Sequence, residues 1–276
     1  MADELERARK ALRELGRSLK SLPGSPTPRQ VHKLRTTARR VEAIAAVLEP
    51  VEKKTSRRLL KSIEPIRKAA GGVRDMDVLI ANARRLARHS AGDSLARLIE
   101  HLQIARRQNA DVLERALGRR HHTVRQNLKE YSRLVRSVLG AKKGSASDSV
   151  PPNQPHEGFH SAAMVVAREL GEWPPLDADN IHAFRLKVKQ LRYILQLSAD
   201  TDAALVDALG NVQRRVGDWH DWQQLDEIAR EVLNPERDGA LLARIAQTAK
   251  RKFDQALAAA NALRGKYLTM PFAQGI

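Results

Sequence analysis

Val31-His32-Lys33-Leu34-Arg35 and Ile181-His182-Ala183-Phe184-Arg185 open two stretches that match position by position at an offset of 150 residues. His32 falls on His182, Arg35 on Arg185, Arg39 on Lys189 and Ile44 on Ile194. At about 100° per residue, helix positions i, i+3 and i+7 share a face. Each copy therefore stacks a histidine and two basic residues in one stripe. The opposite face carries Leu34, Ala38, Val41, Ala45 and Leu48 in the first copy, and Phe184, Val188, Leu191 and Leu195 in the second. Each copy, Val31 to Pro50 and Ile181 to Asp200, reads as a core-packed helix with a basic, histidine-headed outer stripe.

A second stretch also occurs twice. Ile66-Arg67-Lys68-Ala69-Ala70-Gly71-Gly72-Val73-Arg74-Asp75 is echoed by Val212-Gln213-Arg214-Arg215-Val216-Gly217-Asp218-Trp219-His220-Asp221 at an offset of 146. Lys68 aligns with Arg214, Gly71 with Gly217 and Asp75 with Asp221, so the repeated unit spans several helices. A helix-interior glycine costs about 1 kcal/mol relative to alanine. One at the same place in both copies points to close approach by another backbone or a ligand. The stripe helices also start alike. Thr27-Pro28-Arg29-Gln30 has the pattern of a capping box with proline at the first helical position, and Asp177 and Asn180 stand at the matching cap and third positions.

The rest of the chain adds helices and no strand. Residues 3 to 22, 51 to 89, 93 to 118 and 120 to 140 show helical spacing, as do 158 to 170, 202 to 233 and 238 to 265, these last closed by Pro271. Pro23 to Pro28 and Trp173-Pro174-Pro175 are breaks, and nowhere does a strand-like alternation persist. Residues 141 to 158 are rich in Gly, Ser, Pro and Lys and read as a linker or mobile loop. The expected architecture is all-α: an N-terminal half over 1–140, the linker over 141–158, and a C-terminal half over 159–276. The two halves form a single domain.

Composition narrows the partners. In 276 residues, 49 Lys and Arg face 32 Asp and Glu, a formal net charge of +17. Such an excess repels itself in a compact chain unless a polyanion relieves it. Nucleic acid, an anionic membrane surface and inorganic polyphosphate are the natural partners. There is no cysteine, hence no disulfide framework and no thiolate metal site. The N-terminus lacks a hydrophobic signal core, and no run of about 18 apolar residues occurs. These features predict a soluble, cytoplasmic protein without a transmembrane segment.

A single basic stripe is ordinarily a solvated face. Two matching stripes related by an internal repeat can converge on one groove, where arginine forks and lysine point charges suit phosphate oxygens. The paired histidines lack a carboxylate at ligand spacing in their own stripes, so cation-like partners of phosphate are favoured over metal ligands. Asp75 and Asp221 read as acceptors that orient neighbouring arginines. The dipeptide His220-Asp221 also fits a helical, metal-dependent HD phosphohydrolase, but its counterpart Arg74-Asp75 has no histidine. Nucleic acid is the other competitor. Single-strand binding uses aromatic platforms, which 4 Phe, 3 Tyr and 3 Trp at apolar positions or breaks do not supply. No helix-turn-helix, zinc-finger, basic-zipper or phosphate-loop pattern is present.

The motifs His32-Lys33-Leu34-Arg35 with Arg39-Arg40, Arg74-Asp75-Met76-Asp77-Val78, His182-Ala183-Phe184-Arg185 with Lys189-Gln190-Leu191-Arg192-Tyr193, and Val216-Gly217-Asp218-Trp219-His220-Asp221 resemble those of the CHAD family, the conserved-histidine α-helical domains. The resemblance spans about residues 25 to 265. It implies two four-helix-bundle halves about a pseudo-twofold axis around a basic central groove. It further implies binding of inorganic polyphosphate, recruitment to polyphosphate granules, and no catalytic activity of the domain itself; no cofactor and no metal are expected. Stripe residues His32, Arg35, Arg39, Arg40, His182, Arg185, Lys189 and Arg192 are then expected to line the groove. Arg67, Lys68, Arg74, Arg214, Arg215 and His220 extend it. Glu42 and Gln190 depart from the family pattern at positions that are ordinarily basic, which lowers the charge locally.

Overall fold

The computed structural model describes residues 2–48, 53–86, 92–140, 155–196 and 202–268. Among them are eight α-helices and no strand. They are α1 (Ala2–Lys20), α2 (Pro28–Leu48), α3 (Lys53–Leu86), α4 (Asp93–Gly140), α5 (Pro155–Gly171), α6 (Ile181–Leu195), α7 (Ala203–Val232) and α8 (Pro235–Leu263). A π-helical turn, Arg264–Leu268, follows α8. Pro50, Asp200 and Pro271, at expected helix or chain ends, lie outside the described residues, as do 87–89 and the side chain of Leu48.

Two expected boundaries are corrected. The separate helices over 93–118 and 120–140 are one helix, α4. Gly118 and Arg119 do not break it, because the penalty of one exposed glycine is smaller than the packing on either side. Leu113, Val124 and Leu128 are all buried along the same helix. The linker reading fails at 155–158, which form the first turn of α5. Pro155 starts that helix at a position whose N–H has no intrahelical acceptor to lose. Residues 141–154 lie outside the described residues.

Helices α1 to α4 pack on one another along the chain, with α4 returning against α1; α5, α6, α7 and α8 also pack in chain order, and the π-turn closes on α5. Repeat-equivalent helices meet across the molecule, α2 on α6 and α3 on α7. The apolar core divides by level along the long helices. The larger cluster draws on all eight helices and includes Leu34, Val41, Ile66, Val73, Phe184, Val188, Val216 and Trp219. The smaller joins the far ends of α3 and α4 to α7 and α8 through Leu79, Leu98, Trp222, Leu225 and Ile245. Each buried Leu or Ile contributes about 1.5–3 kcal/mol. Arg97 locks the smaller cluster by pairing with the buried Asp238 of α8 at 2.9 Å. On α3 the buried members of the two clusters are separated by residues 74–78, of which Met76 packs on the smaller one, and on α7 by His220 and Asp221. The polar residues of the repeat therefore sit where the two apolar levels part.

Candidate functional site

α2 begins with a reciprocal cap; the equivalent pair of bonds at Asp177 and Asn180 closes the turn just ahead of α6, whose own N-cap residue is Asn180 and has no side-chain cap bond. The Gln30 amide N–H donates to Thr27 Oγ1 (3.4 Å) while the Thr27 amide donates to Gln30 Oε1 (2.8 Å). At the second start the Asn180 amide donates to Asp177 Oδ1 (2.9 Å) and the Asp177 amide to Asn180 Oδ1 (3.2 Å). The apolar faces are buried, with Leu34, Ala38, Val41 and Ala45 on α2 and Phe184, Val188, Leu191 and Leu195 on α6. With the faces set this way, the two stripes converge. His32, Arg35 and Arg39 share one cavity of about 260 Å³ with His182, Arg185 and Lys189. α3 adds Arg74 and Asp75, and α7 adds His220 and Asp221.

The glycines explain how the arginines fit. A Cβ on Gly71 would stand 2.6 Å from Arg35 Nη1, and one on Gly217 would stand 3.0 Å from Arg185 Nη2. What approaches each repeated glycine is thus the guanidinium of the stripe helix in the same half, rather than a backbone. Gly72 serves a different purpose, giving room to Asn109 of α4. Because a guanidinium can swing away, Gly71→Ala is expected to leave the melting temperature unchanged or higher, given alanine's better helix propensity. It should weaken anion binding more than Gly217→Ala does, in calorimetric titration of the two purified variants.

Across the cavity floor the two halves are joined by an ion pair. Arg74 Nη1 donates to Asp221 Oδ1 at 2.7 Å and Nη2 to Oδ2 at 3.2 Å, a bidentate pair. Arg74 Nη1 also reaches Asp75 Oδ1 at 3.2 Å. Both aspartates thus hold or border an arginine, as the sequence indicates. Burial raises the Asp221 carboxyl above its ordinary value, and Arg74 offsets only part of that rise.

The remaining cations are held uncomfortably. Burial lowers the Arg35 and Arg185 guanidinium values; Asp75 and Asp221 respectively oppose this, and neighbouring Arg74 and Arg39 add to it. Lys189 is driven down to about 7 by burial and by Arg39, Arg185, Arg35 and Arg74. His182 is lowered by burial first and then by His220, Arg185 and Lys189. Its ring packs edge-on against His220, with centroids 4.8 Å apart, and His220 Nδ1 is buried without a hydrogen-bond partner among the described residues. Five Lys and Arg side chains therefore meet two carboxylates in a partly desolvated space. The arrangement is built to receive negative charge.

Eight of the fourteen expected groove residues line this cavity: His32, Arg35, Arg39, Arg74, His182, Arg185, Lys189 and His220. The other six do not. Arg40 reaches outward to Glu14 (3.4 Å), and Lys68 pairs with Glu64 (2.7 Å) on the far side of α3. Arg67 is taken by Glu42, which also binds Arg39 at 3.1 Å. Arg192 donates to Gln213 Oε1 (3.1 Å) and lies against Gly210. Arg214 is exposed, and Arg215 donates to Gln255 (3.0 Å). At the repeat offsets Glu42 matches Arg192, and Arg67 matches Gln213. The same contact thus exists in both halves with its cation on opposite helices. Gln190 is exposed and does not line the cavity.

Thr36, Leu186, Tyr193, Gln213 and Gln224 also line the cavity without having been foreseen. Thr36 and Leu186 are themselves equivalent at the offset of 150, so the repeat carried that signal. Tyr193 and Gln224 fall on Ala43 and Val78 and so have no polar counterpart in the other half, while Gln213 falls on Arg67, which Glu42 holds outside the cavity. Among the described residues, no group of three or more His, Asp or Glu could hold a metal ion. No helix there is long and apolar enough to cross a membrane.

Fold and cavity together define an all-helical protein with a cation-lined chamber between two repeated helix pairs. The family model for the CHAD domain matches residues 6–230, and the chain belongs to the CHAD family. Its fold is similar to a crystal structure of the CHAD domain from the plant Ricinus communis. The two share 16% identity and a TM-score of 0.63, over 95% of this chain and 88% of that one. Nothing matches among curated proteins.

Proposed function

We infer that this cavity binds inorganic polyphosphate. The observation that carries the reading is the convergence of both histidine-headed stripes on one space. There, half-buried Arg35 and Arg185 are repelled by Arg39 and Arg74, and Lys189 by all four. A chain of phosphates supplies a negative charge for each of them and presents no base to be recognised. The cavity holds no Phe or Trp, its Tyr193 is only partly exposed, and two of its histidine rings, His182 and His220, pack on each other. This favours an all-phosphate ligand over RNA. In this reading the domain is a binder rather than a catalyst, which the bidentate pairing of Asp221 with Arg74 supports by occupying the carboxylate that a helical phosphohydrolase would use. A cytoplasmic location and recruitment to polyphosphate granules follow from this reading. Competition tests it. RNA at equal phosphate concentration should fail to displace long-chain polyphosphate; efficient displacement would favour the nucleic-acid reading. Release of phosphate from polyphosphate with divalent metal would favour the phosphohydrolase.

Binding should be proton-linked. In the empty protein Lys189 titrates at about 7, below its ordinary 10.5. Between those values the folded chain holds fewer protons than the unfolded one. Stability therefore rises with pH across that window, and the cost of the charged lysine is fully present below pH 7. A bound phosphate recharges the lysine, so binding at pH 8 takes up a proton. Affinity should fall by up to about tenfold per pH unit above 7. Titration calorimetry at pH 8 in two buffers of different ionisation enthalpy should give different apparent enthalpies, and equal values would remove Lys189 from the site.

A further inference from the structure

A second recognition surface lies away from the cavity, between α1 and α4. These helices leave a groove of about 460 Å³. Its floor is apolar, made by Leu12, Leu19 and Leu128 around Gly16. A Cβ on Gly16 would meet nothing within 4 Å, so the middle of the groove is open. One edge carries Arg13, Arg17 and Lys20, and the other carries His121, Arg125 and Lys129. Arg13 pairs with Glu6. No side-chain ion pair or hydrogen bond engages the other five among the described residues.

The spacing of these edges identifies the occupant. His121, Arg125 and Lys129 recur every fourth residue, as do Arg13 and Arg17, so each edge is a row of positive groups about one helical turn apart. The stretch from His121 to Ser132 is about 17 Å long, or three turns. A lipid would gather its charge at one headgroup, whereas here the charge runs the length of both edges. A polyphosphate chain or RNA backbone would lay its oxygens against leucine methyl groups. An amphipathic helix with an apolar stripe flanked by carboxylates matches both the floor and the two edges. We propose that the α1–α4 groove is a docking site for an acidic amphipathic helix of a partner protein. This site is independent of the polyphosphate reading.

The test uses the full chain and a fluorescein-labelled, lactam-stapled helix of about fourteen residues. The peptide carries leucines at i, i+3, i+4 and i+7 and glutamates elsewhere. A peptide of the same composition with its leucines scattered round the helix is the control. Anisotropy titrations at physiological salt should show binding of the patterned peptide at least tenfold tighter than the control. Arg17→Glu with Arg125→Glu should weaken it at least tenfold, and so should Gly16→Trp, which fills the groove without adding charge. Gly16→Trp should leave polyphosphate affinity within twofold, with circular dichroism confirming that each variant is folded. Equal binding of patterned and scattered peptides would overturn the proposal, as would full binding by Gly16→Trp. It also fails if vesicles containing phosphatidylglycerol bind in a groove-dependent way while the patterned peptide does not.

Discussion

Replacing Arg35 and Arg185 together by alanine is expected to lower polyphosphate affinity by about 10²–10⁴-fold without unfolding the chain. Each guanidinium faces the cavity from a stripe helix and is seated against the glycine of its own half. A hydrogen bond to a charged partner contributes about 1.5–3 kcal/mol, and two such losses give that range at about 1.4 kcal/mol per tenfold. The empty protein should tolerate the change. Both arginines are half-buried beside Arg39 and Arg74, and alanine removes their desolvation and their repulsion by those neighbours. Helical circular dichroism should persist, with a melting temperature at or above that of the parent. Lysine at both positions should restore part of the affinity, since it returns the charge but not the fork. Retained binding by the alanine variant would move the site, with the basic residues between Arg97 and Arg136 of α4 the next candidates.

The second large effect is on stability. Asp221→Ala leaves half-buried Arg74 beside Arg185 and Lys189 with only the weaker contact to Asp75. Breaking a buried pair from one side costs about 3–5 kcal/mol, which in a chain of this size lowers the melting temperature by roughly 10 °C. Asp75→Ala should cost much less, because Asp75 is more exposed than Asp221 and makes one 3.2 Å contact. Polyphosphate should raise the melting temperature of Asp221→Ala more than that of the parent, since a phosphate can stand in for the lost carboxylate. Equal melting temperatures for the two aspartate variants would mean that the α3–α7 ion pair does not join the halves.

The repeat made the fold legible. Once His32 matched His182 and Gly71 matched Gly217, the apolar faces told which side of each helix turned inward, and the convergence of the stripes followed. What stayed hidden was pairing. Nothing along the chain shows that Glu42 takes Arg67 out of the cavity, or that Arg192 turns to Gln213. Both are encounters between helices, and the two halves solve the same contact with opposite placement of charge. Gly118 misled for a related reason. Local propensity marks it as a break, but α4 is held by buried residues on both sides of it. Tyr193 and Gln224 reach the cavity because of how α6 and α7 pack against the other half, and sequence periodicity carries no such information.

A crystal structure of the chain grown with polyphosphate tests the central claim most directly. The predicted result is a run of phosphate density between Arg35 and Arg185, in contact with Lys189, with the Arg74–Asp221 pair intact beneath it. Phosphate density confined to the outer face of α4, with the cavity holding only water, would contradict it.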